Sequence, residues 1–334
     1  MHPYPGPVLT RLRQPVSPEA YRRVTVAAVV LLVFIVVTGA GVRLSGSGLG
    51  CTDWPNCTDQ HLVAELQTHQ MVEFVNRMIT GLVSAIVALA VLGSMRRAPR
   101  RRDLTMLSWG LVAGVAGQVV VGKFVVETDL NPWVVQLHFV VSMLLVLDAV
   151  VLAHRAAIPD GAAERPVVTP ALLAWGWVLA AAAAVVLLAG TLVTGSGPHS
   201  GQSEQVETIK RLPIRPHDAA RIHGLVVMAF LAIAVWVLVQ LRRHQADERL
   251  VRRASALLTV LVLQGALGYT QYFTGVPPLL VGLHVFGACL VWVAALQVLL
   301  AMRSPVGSGP SGPAQSTGDP RTDLLSDGDL VTGR

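Results

Sequence analysis

Eight stretches of this chain are each long and apolar enough to cross a bilayer, and this limits its fold more than any single motif. They run Val24–Leu44, Met71–Ser94, Leu104–Val126, Val134–Ala153, Ala171–Val193, Ala219–Leu241, Ala254–Phe273 and Leu279–Met302. A spanning helix needs about 20 predominantly apolar residues. Inside hydrocarbon every backbone N–H and C=O has to find a protein partner, which leaves only helices and closed barrels. These runs are continuous rather than alternating, so a barrel is excluded. The expected fold is an all-α membrane protein with eight transmembrane helices. The first run is too long, and followed by too many others, to be a cleaved signal peptide. Charged residues make up 14% of the chain, against about 25% in soluble domains. The net charge of +6 is read as a topology signal and not as a nucleic-acid surface; no nucleic-acid partner is expected.

The arginines fall on one side of an eight-span arrangement. Arg11, Arg13, Arg22 and Arg23 precede the first span, and Arg96, Arg97, Arg100, Arg101 and Arg102 lie between the second and third. Arg155 and Arg165 follow the fourth; Arg242, Arg243, Arg249, Arg252 and Arg253 follow the sixth. That side is expected to be cytoplasmic, with both termini inside and the protein in the cell membrane. Lys210, Arg211 and Arg215 run against the bias, in the longest outer loop. The expected organisation is an N-terminal tail (1–23), a first bundle (24–155), a linker (156–170), a second bundle (171–303) and a tail (304–334). The last is rich in Gly, Pro, Ser and Asp and is expected to be disordered.

The two halves repeat one another. "GQVVVGKFVVETDLNPWVVQLHFVVS" begins at Gly117, and "LQGALGYTQYFTGVPPLLVGLHVFGA" begins at Leu263. Gln118, Gly122, Pro132 and His138 have counterparts in Gln264, Gly268, Pro278 and His284, all 146 residues on. Gly46-Ser47-Gly48 after the first span matches Gly195-Ser196-Gly197 after the fifth. An even number of spans per half keeps both halves in one orientation, so two pseudo-symmetric four-helix bundles are expected. Bundles of this kind hold cofactors among inward-facing side chains.

Three histidines sit about one to two turns inside the outward ends of their spans: His138, His223 and His284. A polar ring at membrane depth is costly and marks function. Neutral imidazole in an apolar bundle suits heme iron. His223 and His284 make a pair in the second half. In the first half His138 faces a different residue, because the register puts Asn76 where His223 stands. His69, Glu73 and Asn76 share one face of the second span, with Arg77 beside them. An intramembrane carboxylate is a functional candidate. The halves therefore share a scaffold but not a chemistry: a saturated electron-transfer site in one, a site with an open position and an acid nearby in the other. Cys51 and Cys57 lie in the loop after the first span, spaced for a disulfide, for free thiols or for a redox-active pair. Cys289 reads as a buried apolar residue.

"TGAGVRLSGSGLGCTDWPNC", "HQMVEFVNRMITG" and the repeated Q-x₃-G…P…LH resemble the heme A synthase family, the eight-helix cytochrome oxidase assembly enzymes, over roughly Val24 to Met302. The resemblance implies oxidation of the C8 methyl of heme O to a formyl group, through an alcohol, giving heme A. It implies a structural heme b in the C-terminal half, ligated by His223 and His284, and the substrate heme in the N-terminal half, ligated by His138. It makes Glu73 the catalytic carboxylate beside the reacting methyl, with His69, Asn76 and Arg77 around the substrate. Cys51 and Cys57 match the family's outer-loop disulfide pair. Implied partners are heme O, heme O synthase and cytochrome oxidase assembly factors, in a lipid bilayer. One departure stands out: the family pattern on this span is E-x-x-H-R, whereas Glu73 is followed by Asn76-Arg77.

Glu73 is thereby expected to accept a proton or stabilise positive charge near the methyl carbon. Arg77 and Arg43 are expected to contact propionates or to anchor the interface. The alternative is a di-heme b-type cytochrome moving electrons between quinone and an outer-face donor. A transporter would instead show helices broken near the midplane.

Overall fold

The computed structural model describes residues 15–61, 63–202 and 209–306. Eight helices long and apolar enough to span a membrane run through them: α1 Pro18–Leu44, α2 Thr68–Arg96, α3 Arg102–Glu127, α4 Pro132–Ala157, α5 Pro170–Ser196, α6 Pro216–Arg243, α7 Glu248–Phe273 and α8 Pro278–Ala301. Their starts follow local chemistry. Ser17 caps α1 by accepting from the Ala20 N–H at 3.2 Å, with Pro18 in the first turn. Asn131 caps α4 and Thr169 caps α5 in the same way, each followed by proline. A proline at that position loses no intrahelical bond. The capped turn carries α1 back to Pro18, inside the segment expected as a tail to residue 23.

The helices pack as two similar sets. In the first, α1 lies against α2 and α4, and α3 against α2 and α4; in the second, α5 lies against α6 and α8, and α7 against α6 and α8. The sets meet through α1 on α8, and through α4 on α5 and α8. The inner helices are therefore α1, α4, α5 and α8. Their contact is sealed by small and branched side chains such as Val146, Ala149, Ala295 and Val298, all at 0% exposure. The Trp292 indole N–H on α8 donates to the Met143 carbonyl of α4 at 3.0 Å.

The repeat is structural as well as sequential. The α3–α4 turn places Asp129 and Leu130 at φ 52° and 58°; the α7–α8 turn places Gly275 and Val276 at 78° and 62°. Leu130 N–H donates to the Val125 carbonyl at 2.9 Å, and Val276 N–H to the Gln271 carbonyl at 2.8 Å. A left-handed φ is costly for a β-branched residue such as Val276. Its carbonyl also accepts from His199 Nε2 at 2.8 Å.

On the face carrying these turns the loops of the two halves interlock. Arg43 of α1 donates to the Thr194 carbonyl at 2.6 Å and the His199 carbonyl at 2.7 Å. Gly48 N–H donates to the Gly201 carbonyl at 2.9 Å. Gln202 and Lys210 reach the Asp129 and Thr128 carbonyls at 3.2 and 2.9 Å. The opposite face carries both ends of the helical array. There β1 (Ala163–Pro166), in the linker, pairs antiparallel with β2 (Arg303–Val306), with Ala163 opposite Val306. This corrects the expected disordered tail for Ser304–Val306. Two short polar segments on one face satisfy each other's backbone groups. Residues 307–334, the rest of that expected tail, lie outside the described residues.

Arg43→Leu, which places in α1 the residue that α5 has at Leu192, removes two charge-assisted bonds between the halves. It should lower stability by about 2 kcal/mol, read as an earlier thermal-unfolding midpoint of the purified protein in detergent.

Candidate functional site

The three intramembrane imidazoles hang from equivalent scaffolds. His138 is the seventh residue of α4 and His284 the seventh of α8. Each has a glutamine on the preceding helix that ties down its backbone: Gln118 Nε2 donates to the His138 carbonyl at 3.1 Å, and Gln264 Nε2 to the His284 carbonyl at 2.6 Å. Gln118 also donates to Ser142 Oγ at 2.6 Å, a bond with no counterpart in the second half. This accounts for the shared 20-residue spacing. A helical carbonyl already bound by its own helix keeps a second lone pair for such a donor.

Glycine then sets the orientation of each ring. A Cβ at Gly122 would stand 3.5 Å from Cε1 of His138, at Gly190 3.4 Å from Cε1 of His223, and at Gly268 3.0 Å from Cε1 of His284. In all three cases the ring lies with its Nδ1–Cε1 edge against a bare stretch of the neighbouring helix. Nδ1 of each is buried without a partner.

His223 and His284 face each other with ring centroids 6.4 Å apart and planes at 67°. Two metal–nitrogen bonds of about 2 Å, plus the half-widths of two rings, span that separation. Among the described residues, His, Cys, Asp and Glu form no group of three or more suited to a bare metal ion. Two imidazoles make a full protein contribution when the metal brings its other ligands, as in heme. The residues thus fit a heme in the second half, which His223 and His284 would hold.

The first half is built differently. Glu73 is 6% exposed. Its Oε2 accepts from the Cys51 N–H at 2.9 Å, and its Oε1 from Arg77 Nη2 at 2.6 Å. Arg77 Nη1 reaches the Asp53 and Asn56 carbonyls, both at 3.0 Å. Cys51 and Cys57 form a disulfide, closing the loop that this clamp holds down. The Arg77 guanidinium is thus engaged with Glu73 and the loop carbonyls, and that of Arg43 with the second half. His69 is exposed, with Nδ1 2.9 Å from Ser47 Oγ. It lies seven residues, roughly 10 Å along the axis, on the loop side of Asn76. Asn76 Oδ1 is buried without a partner.

Asp148 on α4 was not among the expected site residues, although a lone acid in "LLVLDAVV" signals it. Its Oδ2 is buried without a partner beside Gly110 of α3. It lies about 15 Å along the axis from His138, away from the imidazoles.

These features define a helical membrane protein of two like bundles, with a paired imidazole site in one and, in the other, a single imidazole on α4 and an asparagine on α2. The chain belongs to the cytochrome oxidase assembly protein family (COX15-CtaA), whose model matches residues 22–296. It is similar to a heme A synthase of Staphylococcus saprophyticus, 22% identical over 299 residues covering 88% of this chain and 99% of that protein. A heme A synthase of Halalkalibacterium halodurans is 26% identical over 271 residues, 78% of this chain and 87% of that protein. The match to a heme A synthase of Lysinibacillus sphaericus, 28% identical, spans 36% of this chain and 39% of that protein.

Glu73→Ala leaves a largely buried guanidinium and the Cys51 N–H without their acceptor. The expected loss is about 3 kcal/mol, with faster backbone hydrogen exchange across residues 51–57; exchange unchanged in that loop would show that the clamp does not hold it.

Proposed function

We propose that this protein is a heme A synthase, oxidising the C8 methyl of heme O to a formyl group through an alcohol intermediate, for cytochrome c oxidase biogenesis. The observation that carries this reading is a pair of like bundles, in a member of this family, with unlike sites. In the C-terminal bundle His223 and His284 would hold a heme b, which would supply electron transfer there. In the N-terminal bundle His138 holds the substrate heme. The heme supplies the redox chemistry when bound, and the protein binds, orients and sets the electrostatics.

Glu73 is the catalytic carboxylate of this proposal. Both its oxygens are fixed by N–H donors, so its charge is held in place rather than left to swing. A fixed anion one turn from Asn76 on the same face of α2 stabilises positive charge developing at a nearby carbon. Arg77 and the Cys51 N–H position it, and the disulfide loop covers the site from the loop face. His69, exposed and bonded to Ser47, contributes to the mouth of that site and not to the iron. The exposed apolar side chains of the outer helices, Leu82 and Leu225 among them, leave the bundle flanks open to lipid, as an isoprenoid-tailed substrate requires. The arginine bias supports a cell-membrane protein with both ends cytoplasmic. Heme O synthase and cytochrome oxidase assembly factors are the proposed partners. A di-heme cytochrome would need a second imidazole opposite His138, where Asn76 stands.

The test is heme extraction and chromatography from membranes of cells making heme O. Wild type should yield heme A. His138→Ala and Glu73→Ala should lose it or stall at the alcohol, and His223→Ala should lose the low-spin b-type spectrum. No heme A from wild type under aerobic conditions, with the b-type spectrum intact, would sink the synthase reading.

A further inference from the structure

The repeat provides four equivalent glycines, each on the helix before one that carries a site residue. Three are filled by imidazole: Gly122 by His138, Gly190 by His223, Gly268 by His284. The fourth glycine is Gly41 on α1. It stands five residues before Gly46-Ser47-Gly48, as Gly190 stands five before Gly195-Ser196-Gly197. In the sequence register the residue of α2 at the place of His223 is Asn76. A Cβ on Gly41 would meet nothing within 4 Å. The scaffold therefore keeps the bare helix surface that an imidazole edge would cover, without the imidazole.

Nothing nearby fills the gap. Arg77 is engaged with Glu73 and two loop carbonyls. His69 is held at the loop face by Ser47. Asn76 Oδ1 is left buried with no donor, and an unmet buried acceptor is costly. A carboxamide is shorter than an imidazole and is a poor ligand for heme iron, yet it offers both an acceptor and a donor.

We propose that the N-terminal bundle leaves one side of its heme open, and that the recess at Gly41 admits a small exogenous ligand, water or a diatomic gas, with the Asn76 side-chain N–H, the end of the carboxamide that is not buried, as its hydrogen-bond donor. This rests on the reading that His138 holds a heme, and it adds that His138 is the sole protein ligand there. The two bundles then differ in accessibility as well as in charge. One heme is closed by two imidazoles and passes electrons; the other is five-coordinate towards protein and open to a ligand.

The experiment uses the purified full chain in detergent, loaded with heme O, with carbon monoxide as the probe of the reduced protein and electron paramagnetic resonance of the oxidised one. Wild type should show one high-spin and one low-spin heme, with carbon monoxide binding only the former. Asn76→His should convert the high-spin signal to low-spin and abolish carbon monoxide binding. Gly41→Leu, which grows a side chain into the recess, should weaken carbon monoxide binding roughly tenfold or more and leave the low-spin signal unchanged. Wild type that is wholly low-spin and inert to carbon monoxide would overturn the proposal. So would carbon monoxide binding that survives both substitutions, or a loaded chain with no heme beyond the paired-imidazole one. Heme chromatography on the same cells separates the two claims. An inert protein that still makes heme A sinks the recess and keeps the synthase, and the reverse result sinks the synthase and keeps the recess.

Discussion

An imidazole inside a bilayer has to be told which way to face, and most of this architecture serves that end. The ring has two nitrogens, and without a fixed edge either one can turn to the interior. Here a glutamine on one neighbouring helix grips the backbone beneath His138 and His284. A glycine on an adjacent helix gives each of the three rings a flat wall. For α3–α4 and α7–α8 the loop supplies the depth, because matching left-handed turns set the two histidines equally far along their helices. Changing the helix register by one residue would rotate a ring off its wall by about 100°, since a turn holds 3.6 residues.

Much of this was legible in the sequence. The eight spans, the parallel repeat and the matched depth of His138 and His284 all come from patterns within single helices or at a fixed offset. What was not legible depends on chain segments meeting from a distance. Arg43 reads as an interfacial arginine or a propionate contact. Its carbonyl partners, more than 150 residues away, exist only once the two halves are together. Glu73 reads as a bare acid, and its tie to the Cys51 N–H depends on how the outer loop folds back over α2. Ser304–Val306 has the composition of a tail, and composition does not show that a linker strand waits beside it.

The halves diverged by subtraction on a common frame. Where α6 offers His223, α2 offers Asn76 and, one turn before it, a glutamate engaged with an arginine. Where α5 has Leu192 at the loop face, α1 has Arg43, reaching into the other half. The first bundle thus has an asparagine in place of an imidazole, and a polar clamp under a disulfide-closed loop. The second has a pair of imidazoles, with planes at 67°, in an apolar setting. In the proposed reading the paired imidazoles serve electron transfer, and the first bundle keeps room for chemistry on its substrate.

The small sheet on the opposite face also bears on how the molecule comes to exist. Its first strand lies in the linker between the halves, and its second follows the last helix. A nascent chain therefore carries an unmatched strand through the insertion of α5, α6, α7 and α8. The partner emerges only after α8 has left the ribosome. Closing this pair therefore waits on the synthesis of all four helices of the second half, and until then β1 displays an open edge.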